Sequence, residues 1–544
     1  MGDNLNWVRI VPWSEPRGFI AVAAACALFL LLPLALISET PRARLNVAEM
    51  CSLLFFLILI SRLLLARQPT EGLAAQERSA KGLLLALTLA SGLYAATLPL
   101  YFISDDYTYL VHAESPMFES LWVLLTQGQA GVFLRPVGFA TLFVDYRLWE
   151  LWHPGFHLTS ILFHLATTAG IFFLLEGLGQ RAETCAAGSL IFAVLPIQVE
   201  AVSWMGGRFD VVATCLTVWA LVYYVRFREA GHISHLLFAL VFFLLGMLSK
   251  ENAYILPLLL IALEFLVMPI RNMRLVGPFL LLATIVFVYR WIVLGGIGGY
   301  ASPSGLPATF DIGLQTFEGL LGRAPAQMLL GYNWLQPPLF EPIVLVSLTG
   351  AMLLALVLGT SSCSSAKGLT WFGLTWIVLS NLPAHPLILV GADLTNSRVF
   401  YLGSAGLAIV IALLLTGISH TRLRRCWTGL LVLFLGAGLL HNVGARRWTA
   451  DLSKGFLSEL RRLEPSPPAN AEFVFRDLPD KIRGVFFFNE GLTEALNILY
   501  QRQDLRGRRE SDPLSSPLEV AAGKPLVELR WVGEKGRLLE RIRN

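Results

Sequence analysis

Long apolar runs separated by short polar connections fill the first 440 residues of the chain. Most of these runs approach the roughly 20 residues that a helix needs to cross the hydrocarbon core of a bilayer. The pattern therefore predicts about thirteen transmembrane helices, at 18–38, 46–66, 83–103, 156–176, 184–203, 210–226, 234–249, 252–270, 275–294, 339–359, 369–383, 399–418 and 427–442.

One further apolar stretch carries charges along its whole length, so we do not assign it to a transmembrane helix. A charged side chain at the bilayer centre costs about 2.5–3.5 kcal/mol, whereas an amphipathic helix at the interface avoids that cost. We predict interfacial helices at 117–127 and 132–152, the second of which contains Arg135, Asp145, Arg147 and Glu150.

Basic residues between the predicted helices set the orientation, because cytoplasmic loops are enriched in Lys and Arg. With a cytoplasmic N-terminus, the densest short basic clusters all fall on the cytoplasmic side: Arg226 with Arg228, Arg271 with Arg274, and Arg422 with Arg424 and Arg425. The loops 104–155, 295–338 and 384–398 then face outward, together with the C-terminal segment. The predicted location is a bacterial inner membrane with this segment in the periplasm.

Composition agrees with this pattern. Hydrophobic residues make up 55% of the 544 positions and charged residues only 15%, against about 25% charged in a typical soluble domain. After Leu440 lie 33 of the 80 Asp, Glu, Lys and Arg residues. A multi-domain cytosolic enzyme, a disordered scaffold and a fibrous protein are excluded.

The predicted fold class is an all-α polytopic membrane protein with a small C-terminal α/β domain outside the membrane. Strand-like pieces such as FVFRDLP and LVELRWVG alternate with helical pieces in the tail. We expect an N-terminal hairpin and linker at 1–82, a core membrane domain at 83–442 and the extracytoplasmic domain at 443–544.

The net charge and the positions of the cysteines limit which partners and cofactors are expected. A net charge of +4 without a basic stripe and interleaved aromatic residues gives no reason to expect nucleic acid. The six cysteines fall singly along the chain, so neither a disulfide framework nor a zinc site is predicted. Membrane lipids are the expected surroundings.

The first candidate for chemistry is the acidic pair Asp105 and Asp106, in YFISDDYTYL just after the third predicted helix. Burial at the water–lipid boundary would raise the pKa of at least one carboxyl, which suits a general base near neutral pH. Paired carboxylates could instead hold a divalent metal such as Mg or Mn. A solvated loop start or a helix cap is the alternative interpretation.

Charged residues collect on the same predicted side, in WMGGRFD, LSKEN and the loop before the twelfth helix. Ionisable residues at the membrane boundary need compensation for their desolvation, and Arg and Lys bind phosphate well. Snorkelling toward lipid headgroups is the alternative for each cation. The residues concerned are Arg208, Asp210, Lys250, Glu251, His385 and Arg398.

Three weaker candidates remain. His157 and His164 share a helix face at a spacing of seven, where hydrogen bonding within the bundle is favoured over catalysis. Glu200 could pair with Arg208 or contact substrate. The glycine-rich run at 295–305 lacks the features of a phosphate loop and is interpreted as a flexible lid.

Taken in order, these motifs resemble the GT-C superfamily of membrane glycosyltransferases, which use polyprenyl-phosphate-linked sugars. The resemblance is to protein O-mannosyltransferases, especially the membrane half of the tetratricopeptide-repeat type, and to aminoarabinose transferases of bacteria. It covers roughly 100–410 and is carried by DDYTYL, FLRPVGFATLFVDYRLWELWHPGFHLTSILFHL, LPIQVEAVSWMGGRFD, LLGMLSKENAYILPLLL and SRVFYLGSAGLAI.

The resemblance implies a site at the outer face of 83–442. Asp105 or Asp106 would be the base that activates an acceptor hydroxyl, and the reaction would invert the anomeric centre. Candidates for contact with the donor phosphate or substrate are Arg135, Arg208, Asp210, Lys250, Glu251, His385 and Arg398.

The acceptor stays open between protein, lipid and polysaccharide, because a compact tail stands where the tetratricopeptide type carries its repeats. Two other functions are weighed against transfer. A flippase for polyprenyl-linked glycans would carry charges inside mid-helices and paired broken helices. A noncatalytic scaffold would leave the acidic pair without a role.

Overall fold

The computed structural model describes residues 73–129, 131–299, 367–383, 393–418, 420–510, 525–534 and 537–542, with scattered positions between 313 and 335. The predicted helices 18–38, 46–66 and 339–359 lie outside these residues, as do His385, most of the lid and most of 1–82.

Helices dominate the described chain before residue 464. Their bounds are α1 Leu73–Tyr94, α2 Asp106–Glu114, α3 Met117–Gln127, α4 Pro136–Trp149, α5 His153–Gly177, α6 Ala182–Val194, α7 Val199–Ser203, α8 Arg208–Ala230, α9 Ile233–Met247, α10 Leu256–Leu266, α11 Gly277–Leu294, α12 Lys367–Asn381, α13 Tyr401–Thr416 and α14 Thr421–Leu463. Single 3₁₀ turns join several of them, at Ala95–Thr97, Pro196–Gln198, Met205–Gly207, Glu251–Ile255, Met273–Val276 and Ser397–Phe400.

Six of the described helices are long and apolar enough to cross a membrane, or seven if one bent pair counts as a single span. They fall in the predicted segments 83–103, 156–176, 184–203, 210–226, 275–294, 399–418 and 427–442. The chain is therefore an integral membrane protein. The predicted segments 234–249, 252–270 and 369–383 form shorter helices, so the expected number of about thirteen is not confirmed.

Proline accounts for the break in one of the predicted helices. The segment 184–203 forms α6 and α7 with a bend of 49° between them. Leu195 takes an extended conformation before Pro196, since the proline ring disfavours a helical residue at the preceding position. The bend turns α7 toward the connection that begins α13, where Glu200 makes its contacts.

The two predicted interfacial helices are helical over Met117–Gln127 and Pro136–Trp149. Phe118 and Trp122 are largely exposed on α3, as are Val144 and Leu148 on α4. An apolar outer surface of this kind is typical of a helix that lies against lipid.

The long helix α14 continues 21 residues beyond the predicted boundary at 442, to Leu463. Its second half is rich in charge but keeps one apolar face, on which Phe456, Leu457 and Leu460 are buried. Hydropathy alone ends the predicted helix too early because it registers the exposed charges and not this face.

The C-terminal part forms the predicted small α/β domain. Its strands are β1 Glu472–Arg476, β2 Lys481–Ile482, β3 Val485–Phe486, β4 Arg506–Arg509, β5 Leu526–Glu534 and β6 Arg537–Arg541, with helix α15 at Leu492–Tyr500. The main sheet has the order β4-β1-β5-β6, in which β1 runs parallel to both neighbours and β6 is antiparallel to β5. Phe473, Phe475 and Leu529 pack this sheet onto α14 and α15.

Candidate active site

The acidic pair stands at the start of α2. Asp106 is only 2% exposed, and its Oδ2 accepts a hydrogen bond from the Ile103 amide at 3.0 Å. Burial raises the pKa of Asp106 to about 7. Asp105 is half-buried, and burial raises its pKa as well, although Ser104 and Arg398 partly offset that effect. Both carboxyls can therefore take up a proton closer to neutral pH than a solvated Asp does.

Arg398 is the cation that acts most directly on Asp105. It lies in the 3₁₀ turn before α13, and its guanidinium is 4.9 Å from the ring centre of Trp204. The same guanidinium donates to Glu200 at 3.3 Å and to the side chain of Asn396 at 3.1 Å. The expected alternative that Glu200 pairs with Arg208 is wrong, because the bend after α6 brings Glu200 to the turn that carries Arg398.

A second group of charges lies after α9 and joins the LSKEN segment to α8. Lys250 forms an ion pair with Asp210, which also accepts from Asn252 at 3.3 Å. Burial lowers the pKa of Lys250 to about 8, with the charges of Arg135 and Arg398 acting in the same direction and Asp210 opposing. Lys250 is thus a cation whose charge is marginal at mildly basic pH.

Glu251 joins two arginines on separate elements. Arg135 donates to its carboxylate at 2.7 Å and 3.1 Å, and Arg290 of α11 donates at 2.9 Å. Burial alone would raise the pKa of Glu251, but the two guanidinium groups outweigh it and bring the pKa down to about 2. Glu251 is therefore an anion that fixes Arg135 in place.

The described beginning of the predicted lid is also anchored at this group. Arg290 donates through Nε to the Ile297 carbonyl at 3.0 Å, and the Gly299 amide donates to the Val132 carbonyl at 2.9 Å. The glycine-rich segment therefore begins against the loop that precedes Arg135.

Arg208 has a different environment from the other cations. It is 1% exposed and pairs with Asp145 at 2.6 Å, while Nε donates to the Ser160 hydroxyl at 3.1 Å. Asp145 also accepts from Thr159 at 2.6 Å. The pair joins α4, α5 and α8, so it holds together the elements that carry the site.

Electrostatic contacts link these groups into one cluster. The Tyr109 phenol on α2 interacts with Asp105, Arg135 and Arg398. The Lys250 ammonium interacts with Asp210, Arg135 and Arg398. Asp105 and the cations Arg135, Lys250 and Arg398, from separate sequence motifs, thus lie close enough together to interact electrostatically.

The two histidines hydrogen-bond inside the bundle. The Nε2 of His157 is 2.9 Å from the Leu100 carbonyl, and the Nδ1 of His164 is 2.7 Å from the Tyr401 hydroxyl. These contacts agree with the structural interpretation. Among the described residues, no group of three or more His, Cys, Asp or Glu side chains is placed to hold a metal ion.

Several residues of the cluster could not be selected from the sequence. The sequence indicates Glu200 as a partner of Arg208 or a substrate contact, and Asp145 only as a charge that disfavours membrane crossing. Arg446 of α14, 3.8 Å from Glu200 and near Asp106, belongs to no motif that marks it in the sequence. In the sequence, each of these residues stands out only as a charged residue in an apolar stretch. That pattern does not identify the residue with which it pairs.

Part of this site lies in a segment that matches a known protein family. Residues 152–293, which include Arg208, Asp210, Lys250 and Glu251, match the family described as dolichyl-phosphate-mannose-protein mannosyltransferase. A protein O-mannosyl-transferase of Caenorhabditis elegans is 30% identical over 135 residues, which are 24% of this chain and 19% of the relative. The resemblance to GT-C glycosyltransferases is confirmed.

A second curated relative is named for the same class of enzyme. The protein O-mannosyl-transferase Tmtc1 of Drosophila melanogaster is 28% identical over 199 residues, 34% of this chain and 23% of the relative. Each of these two matches spans less than a quarter of the relative's length. The predicted enzyme class, a glycosyltransferase, is the one for which the relatives are named.

A solved structure of the Archaeoglobus fulgidus oligosaccharyltransferase, tethered to an acceptor peptide, aligns with a TM-score of 0.41 at 12% identity. The alignment covers 79% of this chain and 64% of the other.

Proposed function

We propose that this protein transfers a sugar from a polyprenyl-phosphate donor to an acceptor hydroxyl at the outer face of the membrane, with inversion at the anomeric carbon. The observation that carries the proposal is the meeting of the Asp105–Asp106 pair with Arg398 and Lys250 in one cluster. About thirteen transmembrane helices, a cytoplasmic N-terminus, a bacterial inner membrane and the domain limits 82 and 442 belong to the same proposal.

Arg398 and Lys250 are assigned to the donor phosphate. Both are partly accessible, with side chains 12% and 14% exposed, and their charges oppose the negative charge that develops on the leaving phosphate. Fixed charges of this kind contribute about 3–4 kcal/mol to transition-state stabilisation. Asp210 holds Lys250 and Glu200 holds Arg398 through ion pairs. Arg135, which is fixed by Glu251, and His385 remain candidates for substrate contact on sequence grounds.

Asp105 is assigned the role of base, because it is the more accessible carboxyl of the pair. It takes the proton of the acceptor hydroxyl while the acceptor oxygen bonds to the anomeric carbon, and the bond from that carbon to the phosphate oxygen breaks. Polyprenyl phosphate leaves as the second product. Asp106, which is buried and bonded to the Ile103 amide, supports the loop, and Arg208 supports the helices from within.

The decisive assay uses the purified full chain in liposomes that contain polyprenyl-phosphate mannose or another polyprenyl-phosphate sugar, with protein, lipid and polysaccharide fractions supplied as acceptors. We expect release of polyprenyl phosphate that stops in Asp105→Asn and persists in Asp477→Asn, whose carboxylate is exposed in the C-terminal domain. Movement of the donor across the bilayer without release would support a flippase instead. Full turnover by Asp105→Asn and Asp106→Asn would refute the carboxylate role.

A further inference from the structure

The C-terminal domain reaches the acidic pair through one short segment, residues 487–491, which we call the docking loop. The Ser104 amide donates to the Phe487 carbonyl at 2.7 Å. The Glu490 amide in turn donates to the Ser104 hydroxyl at 3.4 Å. Ser104 directly precedes the acidic pair in the chain. The C-terminal domain therefore holds the residue next to Asp105.

Gly491 permits the close approach of these two segments. Its φ is +80°, and a Cβ atom there would lie 2.5 Å from the Ser104 carbonyl oxygen. A side chain at this position would be strained in its own backbone and would collide with backbone atoms that cannot rotate away. The docking loop therefore requires glycine at 491 to sit on Ser104.

Aromatic packing continues the contact along α2. The ring of Tyr107 stacks on Phe488 with centroids 5.7 Å apart and an interplanar angle of 15°. The Tyr107 hydroxyl hydrogen-bonds to Ser453 of α14 at 2.8 Å and to the Phe102 carbonyl at 3.0 Å. The first turn of α2 is thus held between the docking loop and α14.

Ser104 itself transmits the contact to Asp105. Its φ of +48° is unusual for a residue with a side chain and is kept only when the surroundings impose it. Its hydroxyl donates to Asp105 Oδ1 at 2.9 Å. A single residue therefore links the backbone of the C-terminal domain to the proposed base.

We propose that the C-terminal domain completes the active site: the docking loop positions Asp105 through Ser104. The proposal rests on the proposed function for the identity of the base. It makes Gly491 a positioning residue, because it acts on the acceptor only through Asp105.

The experiment compares Gly491→Ala with Gly533→Ala in the full chain. Gly533 also has a positive φ, of +70°, but a Cβ atom there would meet the Trp531 side chain and not the loop of Ser104. We expect Gly491→Ala to accelerate amide hydrogen exchange over 104–114 and to lower kcat roughly 10- to 100-fold. The KM for the donor should stay within about twofold, because Arg398 and Lys250 lie on other segments.

Unchanged exchange over 104–114 in Gly491→Ala would overturn the positioning role, and so would an equal loss of kcat in Gly533→Ala. Exchange does not depend on catalysis. If Gly491→Ala alters exchange while the wild-type chain releases no polyprenyl phosphate from any donor, the proposed function fails and the docking contact stands.

Discussion

The Glu200 carboxylate binds Arg398 in two ways, since it accepts from the Arg398 amide at 2.8 Å and from the Arg398 guanidinium at 3.3 Å. It also accepts from the Asn396 amide at 3.2 Å and from the Ser397 hydroxyl at 3.3 Å. One anion from α7 thus fixes both the backbone and the charge of the cation assigned to the donor phosphate. The negative charge also lies at the N-terminal end of α13, where the helix dipole favours it.

Glu200→Gln is expected to raise the donor KM about tenfold or more, because Arg398 loses the partner that orients it. Loss of one member of a buried ion pair also costs about 3–5 kcal/mol of stability. Donor kinetics and thermal unfolding in detergent measure the two effects. Glu183→Gln is the matched control, because Glu183 pairs with Arg424 on the surface, where an ion pair is worth about 1 kcal/mol or less.

The pKa of Lys250 predicts that kcat/KM for the donor falls at basic pH. The pKa of about 8 means that the ammonium of the free enzyme loses its charge at mildly alkaline pH. We expect kcat/KM for the donor to fall above pH 8 in the wild-type chain. In Lys250→Arg the fall should disappear, since arginine stays charged throughout. A wild-type profile that is flat up to pH 9.5 would contradict the assignment.

The raised pKa of Asp106 predicts how the free energy of unfolding depends on pH. Burial raises its pKa from 3.8 to about 7, so between these values the folded chain holds a proton that the unfolded chain releases. Stability should therefore decrease as the pH rises from about 4 to 7, by up to a few kcal/mol. Asp106→Asn should flatten this part of the curve. Unfolding midpoints in detergent across this range test it, with Asp477→Asn expected to keep the wild-type slope.

Arg208 and Asp145 should behave as one structural unit. Arg208→Met alone leaves a buried, uncompensated carboxylate and is expected to cost about 3–5 kcal/mol of stability. The double variant Arg208→Met with Asp145→Leu should recover much of that loss, because neither charge remains. Thermal unfolding of the single and double variants provides the comparison. If the double variant is as unstable as the sum of the two single ones, the pair does not act as a unit.

The sequence predicts the site in outline but not its pairings. The acidic pair and the cations Lys250 and Arg398 could be assigned to one side of the membrane because helix length and loop charge determine orientation. Asp145 and Arg208 are 63 positions apart in the sequence, and no local pattern indicates their contact. Glu200 reaches Arg398 only because Pro196 bends the chain between α6 and α7.

For the fold as well, the sequence predicts the outline but not the contacts between distant residues. Apolar runs locate the membrane-spanning helices well because hydropathy averages over many residues. The end of α14 is missed because the charged residues on its outer side mask the buried face that contains Phe456 and Leu460. The contact of Gly491 with Ser104 spans 387 positions, and the sequence carries no sign of it.

The continuous helix α14 also restricts insertions and deletions in the gene. Forty-three residues of helix span about 65 Å, and each added or lost residue turns everything beyond it by about 100° and moves it by about 1.5 Å. A single-codon insertion between Asn442 and Ser453 would thus move Ser453 and the docking loop away from Tyr107, even at a position where any substitution is harmless. Length variation should be tolerated in the surface turns and selected against in this helix.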